Sequence, residues 1–185
     1  MAEDLKVVVV GDGAVGKTSL LYVYVNNSFP DDHIPTVYDN YNANASYNGK
    51  PVMLSIWDTA GQYEFDDQRQ LAYADTNVVL MCFCTVEKSS LTSIQTKWYP
   101  EITRFIKDPI IVLAGTKIDL RDADEKAPDV CTDEMIQEVA KSIKAAGVVL
   151  CSAKERRNVE EVFQSIMKAH FEPPVAAKSG CCVIM

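Results

Sequence analysis

The 185 residues include 18 Lys and Arg against 26 Asp and Glu, a formal charge of −8, and 48% of positions are hydrophobic. Such a length suits one packed domain with a short tail and is short for two, while the acidic balance argues against nucleic acid as a partner, because phosphate backbones are held through surplus Lys and Arg. The longest apolar run, seven residues from Val78 to Cys84, is too short to cross a bilayer, and MAEDLK has neither the basic nor the apolar region of a secretion leader, so residence inside the cell is expected.

LKVVVVG (Leu5 to Gly11) is a β-branched run closed by glycine, the pattern of a central parallel strand buried on both faces. GKTSLLYVYVNN (Gly16 to Asn27) follows as a mostly buried helix. YNANASYNGKPVMLSIWD (Tyr41 to Asp58) reads as two strands about an Asn48-Gly49 turn, where both residues tolerate positive φ, so one edge strand is expected to be antiparallel. VVLMCFCTV (Val78 to Val86) and IIVLAGT (Ile110 to Thr116) are expected as buried strands. Between them Leu91, Ile94, Trp98, Ile102 and Phe105 form one helical stripe, with Pro100 placed to bend it.

RDADEKAPD (Arg121 to Asp129) reads as a solvated loop. A helix from about Thr132 carries Ile136, Val139, Ala140 and Ile143 at helical spacing and precedes the strand VVLCS. The last helix is expected to start at Asn158 as its N-cap, with Glu161 as a capping-box partner, and to bury Val159, Val162, Phe163, Ile166 and Met167. Pro173 and Pro174 end it. Cys82, Cys84, Cys131 and Cys151 form no CxxC or zinc-like cluster and read as small buried hydrophobes in a reducing compartment, leaving only the vicinal Cys181 and Cys182 to explain. The element order predicts an α/β protein: a three-layer α/β sandwich on a six-stranded, mostly parallel sheet with one antiparallel edge strand. In such sheets ligands sit beyond the carboxyl ends of the strands.

GDGAVGKT (Gly11 to Thr18) matches GxxxxGK[ST] between a strand and a helix, the context that motif requires. Its glycines let the backbone curl until successive N–H groups face phosphate oxygens, and the helix N-terminus adds partial positive charge. Lys17 can reach β- and γ-phosphates, and Thr18 offers a hydroxyl to Mg²⁺. The bland reading is a glycine-rich turn, against which the four-valine strand argues. WDTAGQ (Trp57 to Gln62) ends the next predicted strand. There Asp58 can hold Mg²⁺ through water, Ala60-Gly61 lets a backbone N–H approach the γ-phosphate, and Gln62 can orient a water; alone, Asp58 would read as an ordinary turn residue. GTKID (Gly115 to Asp119) and CSAK (Cys151 to Lys154) end two later strands. An Asp119 carboxylate accepting from the ring N–H and exocyclic amine of guanine would reject adenine, Lys117 can lay its stem along the base, and the Ala153 N–H can meet the guanine oxygen. Each short motif is weak alone, and in this order at strand ends they are strong together.

These motifs resemble those of the Ras superfamily of small GTPases across essentially the whole chain. Rho is the subfamily it resembles: FPDDHIPTVYDNY is similar to the Rho switch I, TKIDLRD to its guanine motif, with Thr116 where Ras proteins usually have Asn, and KWYPEI to its third helix. The resemblance implies a P-loop small G-protein fold over residues 1–172 and a flexible tail over 173–185. It implies nucleotide contacts from Gly13, Ala14, Val15, Gly16, Lys17, Thr18, Ser19, Phe29, Thr36, Asp58, Gly61, Lys117, Asp119, Ser152, Ala153 and Lys154, with Phe29 packed against the base. Thr18 and Thr36 are then the Mg²⁺ ligands, Asp58 acts through water, and Thr36 senses the γ-phosphate. Departures from the family pattern are His33 where a tyrosine usually folds over the nucleotide, QRQL (Gln68 to Leu71) in place of a more apolar stretch, and a segment between Asp119 and Cys131 too short for an extra helix. The tail also lacks a basic run.

The implied activity is hydrolysis of GTP to GDP and phosphate, with Gln62 catalytic, in a switch between GTP-bound and GDP-bound states. Between Asn26 and Trp57 the basic side chains are His33 and Lys50, so switch I offers no arginine to the transition state. Slow intrinsic hydrolysis is expected, accelerated by an activator's arginine by about 10³ to 10⁵, or roughly 4 to 7 kcal/mol of barrier. Expected partners are guanine nucleotide exchange factors, GTPase-activating proteins, a guanine dissociation inhibitor, and effectors such as kinases and formins on the path to the actin cytoskeleton, with the G domain monomeric. A GTP-bound scaffold that never hydrolyses is opposed by the intact Gln62, Thr36 and Gly13. A P-loop nucleoside or shikimate-type kinase would leave the base-reading motifs unexplained. CVIM then reads as a CaaX box, with Cys182 prenylated and Met at X favouring farnesyl. One lipid chain anchors marginally, and Lys178 is the only charged side chain after Glu172, so Cys181 becomes a candidate palmitoylation site. The expected address is the cytoplasmic face of the plasma membrane, with cytosolic and cytoskeletal pools.

Overall fold

The valines of β1 (Glu3–Val10) divide between two cores, Val7 and Val9 facing one and Val8 and Val10 the other. A strand covered on both faces has no polar side to present, which is why the sequence shows a run instead of an alternation. The computed structural model describes residues 3–30, 38–59, 61 and 66–173. In it β1 pairs in parallel with β3 (Lys50–Thr59) on one side and β4 (Val78–Cys84) on the other. β2 (Tyr38–Tyr47) runs antiparallel to β3 through a turn at Asn48 and Gly49, both with positive φ, 49° and 76°. β5 (Ile111–Thr116) and β6 (Gly147–Leu150) extend the other edge in parallel, giving the order β2-β3-β1-β4-β5-β6. The sheet is therefore the expected one, six strands with an antiparallel edge.

In chain order the helices are α1 (Lys17–Asn26), α2 (Asp66–Leu71), α3 (Lys88–Ser93), α4 (Tyr99–Phe105), α5 (Ile118–Ala123), α6 (Asp133–Ser142) and α7 (Val159–Phe171), with a π-helical turn at Ile94–Trp98 joining α3 to α4. Leu20, Leu21 and Val23 of α1 pack with Val162, Phe163, Ile166 and Met167 of α7 over one sheet face. Leu91, Ile94, Trp98, Ile102, Ile136 and Ile143 cover the other. No helix among the described residues is long and apolar enough to cross a membrane.

Four local expectations are corrected. The helix holding Pro100 does not simply bend: the Tyr99 N–H bonds the Ile94 carbonyl five residues back, so a π turn forms. Proline removes one donor and its ring crowds the carbonyl four residues earlier, that of Thr96, inside the widened turn. Phe105 does not join the buried stripe but is 44% exposed at the last helical position, because the chain turns extended at Ile106. Asn158 occupies the N-cap of α7 with φ 57° and makes no side-chain cap, so there is no capping box; its amide donates to the Leu150 carbonyl at 2.8 Å. A cap that accepts from the first turn needs extended backbone, as Thr132 has where it accepts from the Met135 N–H at 3.4 Å. The acidic stretch also begins in a helix, since α5 runs to Ala123. Cys82, Cys84, Cys131 and Cys151 are buried free thiols, as expected.

Candidate functional site

The motifs converge at the carboxyl ends of β1, β3, β5 and β6, at one end of the sheet. Gly11 opens the phosphate loop with φ 148°, and a Cβ there would stand 2.2 Å from the Cys82 carbonyl oxygen, so no other residue fits. Val15 is fully buried and keys the loop into the core, while Gly13 and Ala14 are exposed on its rim. Gly16 and Ala14 take positive φ, 101° and 59°, which curls the backbone before α1 starts at Lys17.

Lys17 is buried, and its ammonium donates to the carbonyls of Gly11 at 2.9 Å and Asp12 at 2.8 Å. Burial lowers its pKa below the usual lysine value, and the Asp58 carboxylate is the largest influence opposing that. The Thr18 hydroxyl donates to Asp58 Oδ2 at 2.6 Å, and Asp58 itself is fully buried at the end of β3. The neighbouring Thr59 hydroxyl fastens that strand end to the Val9 carbonyl at 2.6 Å. A hydroxyl and a carboxylate oxygen side by side are hard donors of the kind Mg²⁺ takes together with phosphate oxygens and water. The residues present therefore fit that ion. Ser19 follows in the first turn of α1, half-buried.

On the base side, Ile118 bonds through its N–H to the Cys151 carbonyl at 3.1 Å, and Cys151 through its own N–H to Gly115 at 2.7 Å. These bonds hold the two base-reading segments, with Asp119 in the first turn of α5 and Ala153 and Lys154 in the turn after β6. Buried Ser152 closes that turn by backbone pairing with Arg157 and accepts from the Glu155 N–H at 3.0 Å through its hydroxyl. Arg157 in turn meets Asp122 at 2.7 Å. Lys117, with φ 58°, donates to the Ala14 carbonyl at 2.9 Å across the mouth of the site. Phe29 is 43% exposed. Thr36, His33, Ala60 and Gln62 lie outside the described residues, as do Cys181 and Cys182.

Sequence reasoning missed several contributors. The Thr116 hydroxyl lies within bonding distance of the Val15 carbonyl, so the residue that departs from the usual Asn still ties β5 to the phosphate loop. Arg69, within the unusual QRQL, is buried and forms a two-pronged pair with Glu101, Nε to Oε1 at 2.9 Å and Nη2 to Oε2 at 3.1 Å. Leu71 in the same stretch is 80% exposed. Gly61, which the sequence did single out, is buried on the phosphate loop, where a Cβ would come within 2.5 Å of the Gly11 oxygen and 2.6 Å of the Gly13 nitrogen.

A glycine-rich loop on a central parallel strand, a buried lysine beneath it and a threonine–aspartate pair at its exit define a phosphate-loop nucleotide-binding protein. A family model described as the Ras family matches residues 6–172, and the chain belongs to that family. It is a small GTPase of the P-loop fold, a class of switch that binds GTP and GDP with Mg²⁺ and works with exchange factors, activating proteins and effectors.

Proposed function

We propose that this GTPase is a Rho-type switch, in which Gln62 orients the attacking water, Thr36 and Gly61 register the γ-phosphate, and Asp119 with Ala153 and Lys117 selects guanine. One observation carries the assignment of the site: Lys17, Thr18 and Asp58 meet at the foot of one loop, with Thr18 bonded to Asp58 at 2.6 Å. Phosphoryl transfer asks the protein for positioning and charge stabilisation. Lys17 lies where its ammonium can pass from loop carbonyls to phosphate oxygens, and Asp58 orients the Thr18 hydroxyl. Bound Mg²⁺ supplies charge neutralisation at the phosphate oxygens. Switch I brings no arginine, so hydrolysis is slow until an activating protein provides one.

The Rho-type reading is supported by FPDDHIPTVYDNY, TKIDLRD and KWYPEI, and with it go effectors of the kinase and formin classes and output to the actin cytoskeleton. CVIM supports prenylation of Cys182, and a tail whose only charged side chain after Glu172 is Lys178 supports acylation of Cys181 as a second anchor at the cytoplasmic face of the plasma membrane. The test is to denature the purified protein, identify the released nucleotide by chromatography, and follow phosphate release over hours with no acceptor present. Guanine nucleotide and slow phosphate release are expected. Adenine nucleotide would overturn the base assignment, and retained GTP with no phosphate release would favour a scaffold over a switch.

A further inference from the structure

Lys97 and Trp98 are neighbours in the π turn, and both reach the phosphate loop's far wall. Successive residues on a regular helix point about 100° apart, and a π turn widens the helix where it occurs. The Lys97 ammonium donates to the Gly61 carbonyl at 3.0 Å. The Trp98 indole N–H donates to Asp12 Oδ1 at 2.8 Å, inside the loop motif. The same ammonium lies 4.2 Å from the Trp98 ring centroid, so a ring already bonded to the loop also holds the charge that bonds Gly61. Gly61 has the loop backbone on its other side, too close for a Cβ. It is thus held between Lys97 and the segment from Gly11 to Gly13.

We propose that Lys97 is a positioning residue that selects GTP over GDP by fixing the Gly61 peptide beside the phosphate loop, where only a γ-phosphate would meet it. This rests on the switch reading above. Lys97 touches no nucleotide in this scheme and acts through Gly61. A merely structural lysine would weaken both nucleotides equally when removed, whereas a residue acting through Gly61 weakens only the triphosphate.

The experiment measures affinities of the full chain for GDP and for a non-hydrolysable GTP analogue, with Mg²⁺ present, in wild type, Lys97→Met and Lys97→Arg. Lys97→Met should lower the GTP-to-GDP affinity ratio by about tenfold while GDP affinity stays within about twofold. Lys97→Arg, which keeps a charged donor, should restore most of the ratio. If Lys97→Met fails to fold, Lys97→Leu, which likewise carries no donor, has the same expectation. An unchanged ratio, or equal losses for both nucleotides, would overturn the proposal. A wild-type protein that binds neither guanine nucleotide would instead overturn the switch reading, so the two failures are distinguishable.

Discussion

Glu101→Gln removes one negative charge from a pair whose partner, Arg69, has a side chain only 1% exposed, against 15% for Glu101. The carboxylate accepts from two guanidinium nitrogens, at 2.9 and 3.1 Å, and from the Tyr73 hydroxyl. Burial, then the neighbouring Glu101, pushes the Tyr73 ionisation above its ordinary range, so the phenol stays a donor at any working pH. An amide can accept from one side only and turns N–H groups toward the guanidinium on the other. Removing one partner of a buried pair costs about 3 to 5 kcal/mol, and the partial exposure of Glu101 places this case near the lower end, about 3 kcal/mol. In a domain of this size each kcal/mol lowers Tm by about 2 to 4 °C, so a fall of about 6 to 12 °C is expected. Calorimetric melts of Glu101→Gln, Arg69→Met and the double variant make the assay. The double variant should be more stable than the sum of the single losses by at least about 1 kcal/mol. A Glu101→Gln protein within about 1 kcal/mol of wild type, or strict additivity, would refute the reasoning.

Two glycine substitutions separate strain from collision. Gly49→Ala meets nothing within 4 Å and should cost only the backbone penalty of positive φ, about 1 to 2 kcal/mol, whereas Gly11→Ala drives a methyl group into the Cys82 carbonyl and should abolish nucleotide binding or folding. Equal melting temperatures for the two variants would contradict this. Thr18→Asn removes the hydroxyl paired with Asp58 and should weaken Mg²⁺-dependent GTP binding by about tenfold or more; an unaltered Mg²⁺ titration would take Thr18 out of the metal site. Burial pushes the thiols of Cys131 and Cys151 up to about 11 and about 12, so at pH 8 their thiolate fraction is about one in a thousand or less. Alkylation of these two should begin only when denaturant opens the fold. Rapid labelling of either in the native protein would show that the burial is wrong.

The central strands β1, β4 and β5 were legible because each is a run of β-branched or apolar residues, and the hairpin that adds the polar strand β2 because Asn48-Gly49 suits positive φ at two successive positions. The clustering of Lys17, Thr18 and Asp58 and the place of Asp119 after β5 were legible because those residues sit at strand ends in fixed short motifs. What stayed hidden depends on closure across the fold. Thr116 reaches Val15 over 101 positions of sequence, and Trp98 reaches Asp12 over 86, so neither contact leaves a local pattern. Pro100 marked where the helix is disturbed but not how, since a bend and a π turn both accommodate a missing donor. At Asn158 the residue type fitted a cap, but the backbone angle, which decides whether the side chain caps, follows from the turn that Ser152 and Arg157 close.

The division of β1 between the two cores bears on how a switch can move at all. Its neighbours on both sides are sheet strands, and its side chains are gripped alternately from above and below. Loosening the α1 and α7 layer leaves Val8 and Val10 in place, and loosening the opposite layer leaves Val7 and Val9 in place. The loop that follows Val10 is thereby carried on a post clamped at both jaws. Whatever moves elsewhere in the molecule moves relative to that post, which makes the phosphate loop the fixed origin from which the rest of the cycle is measured.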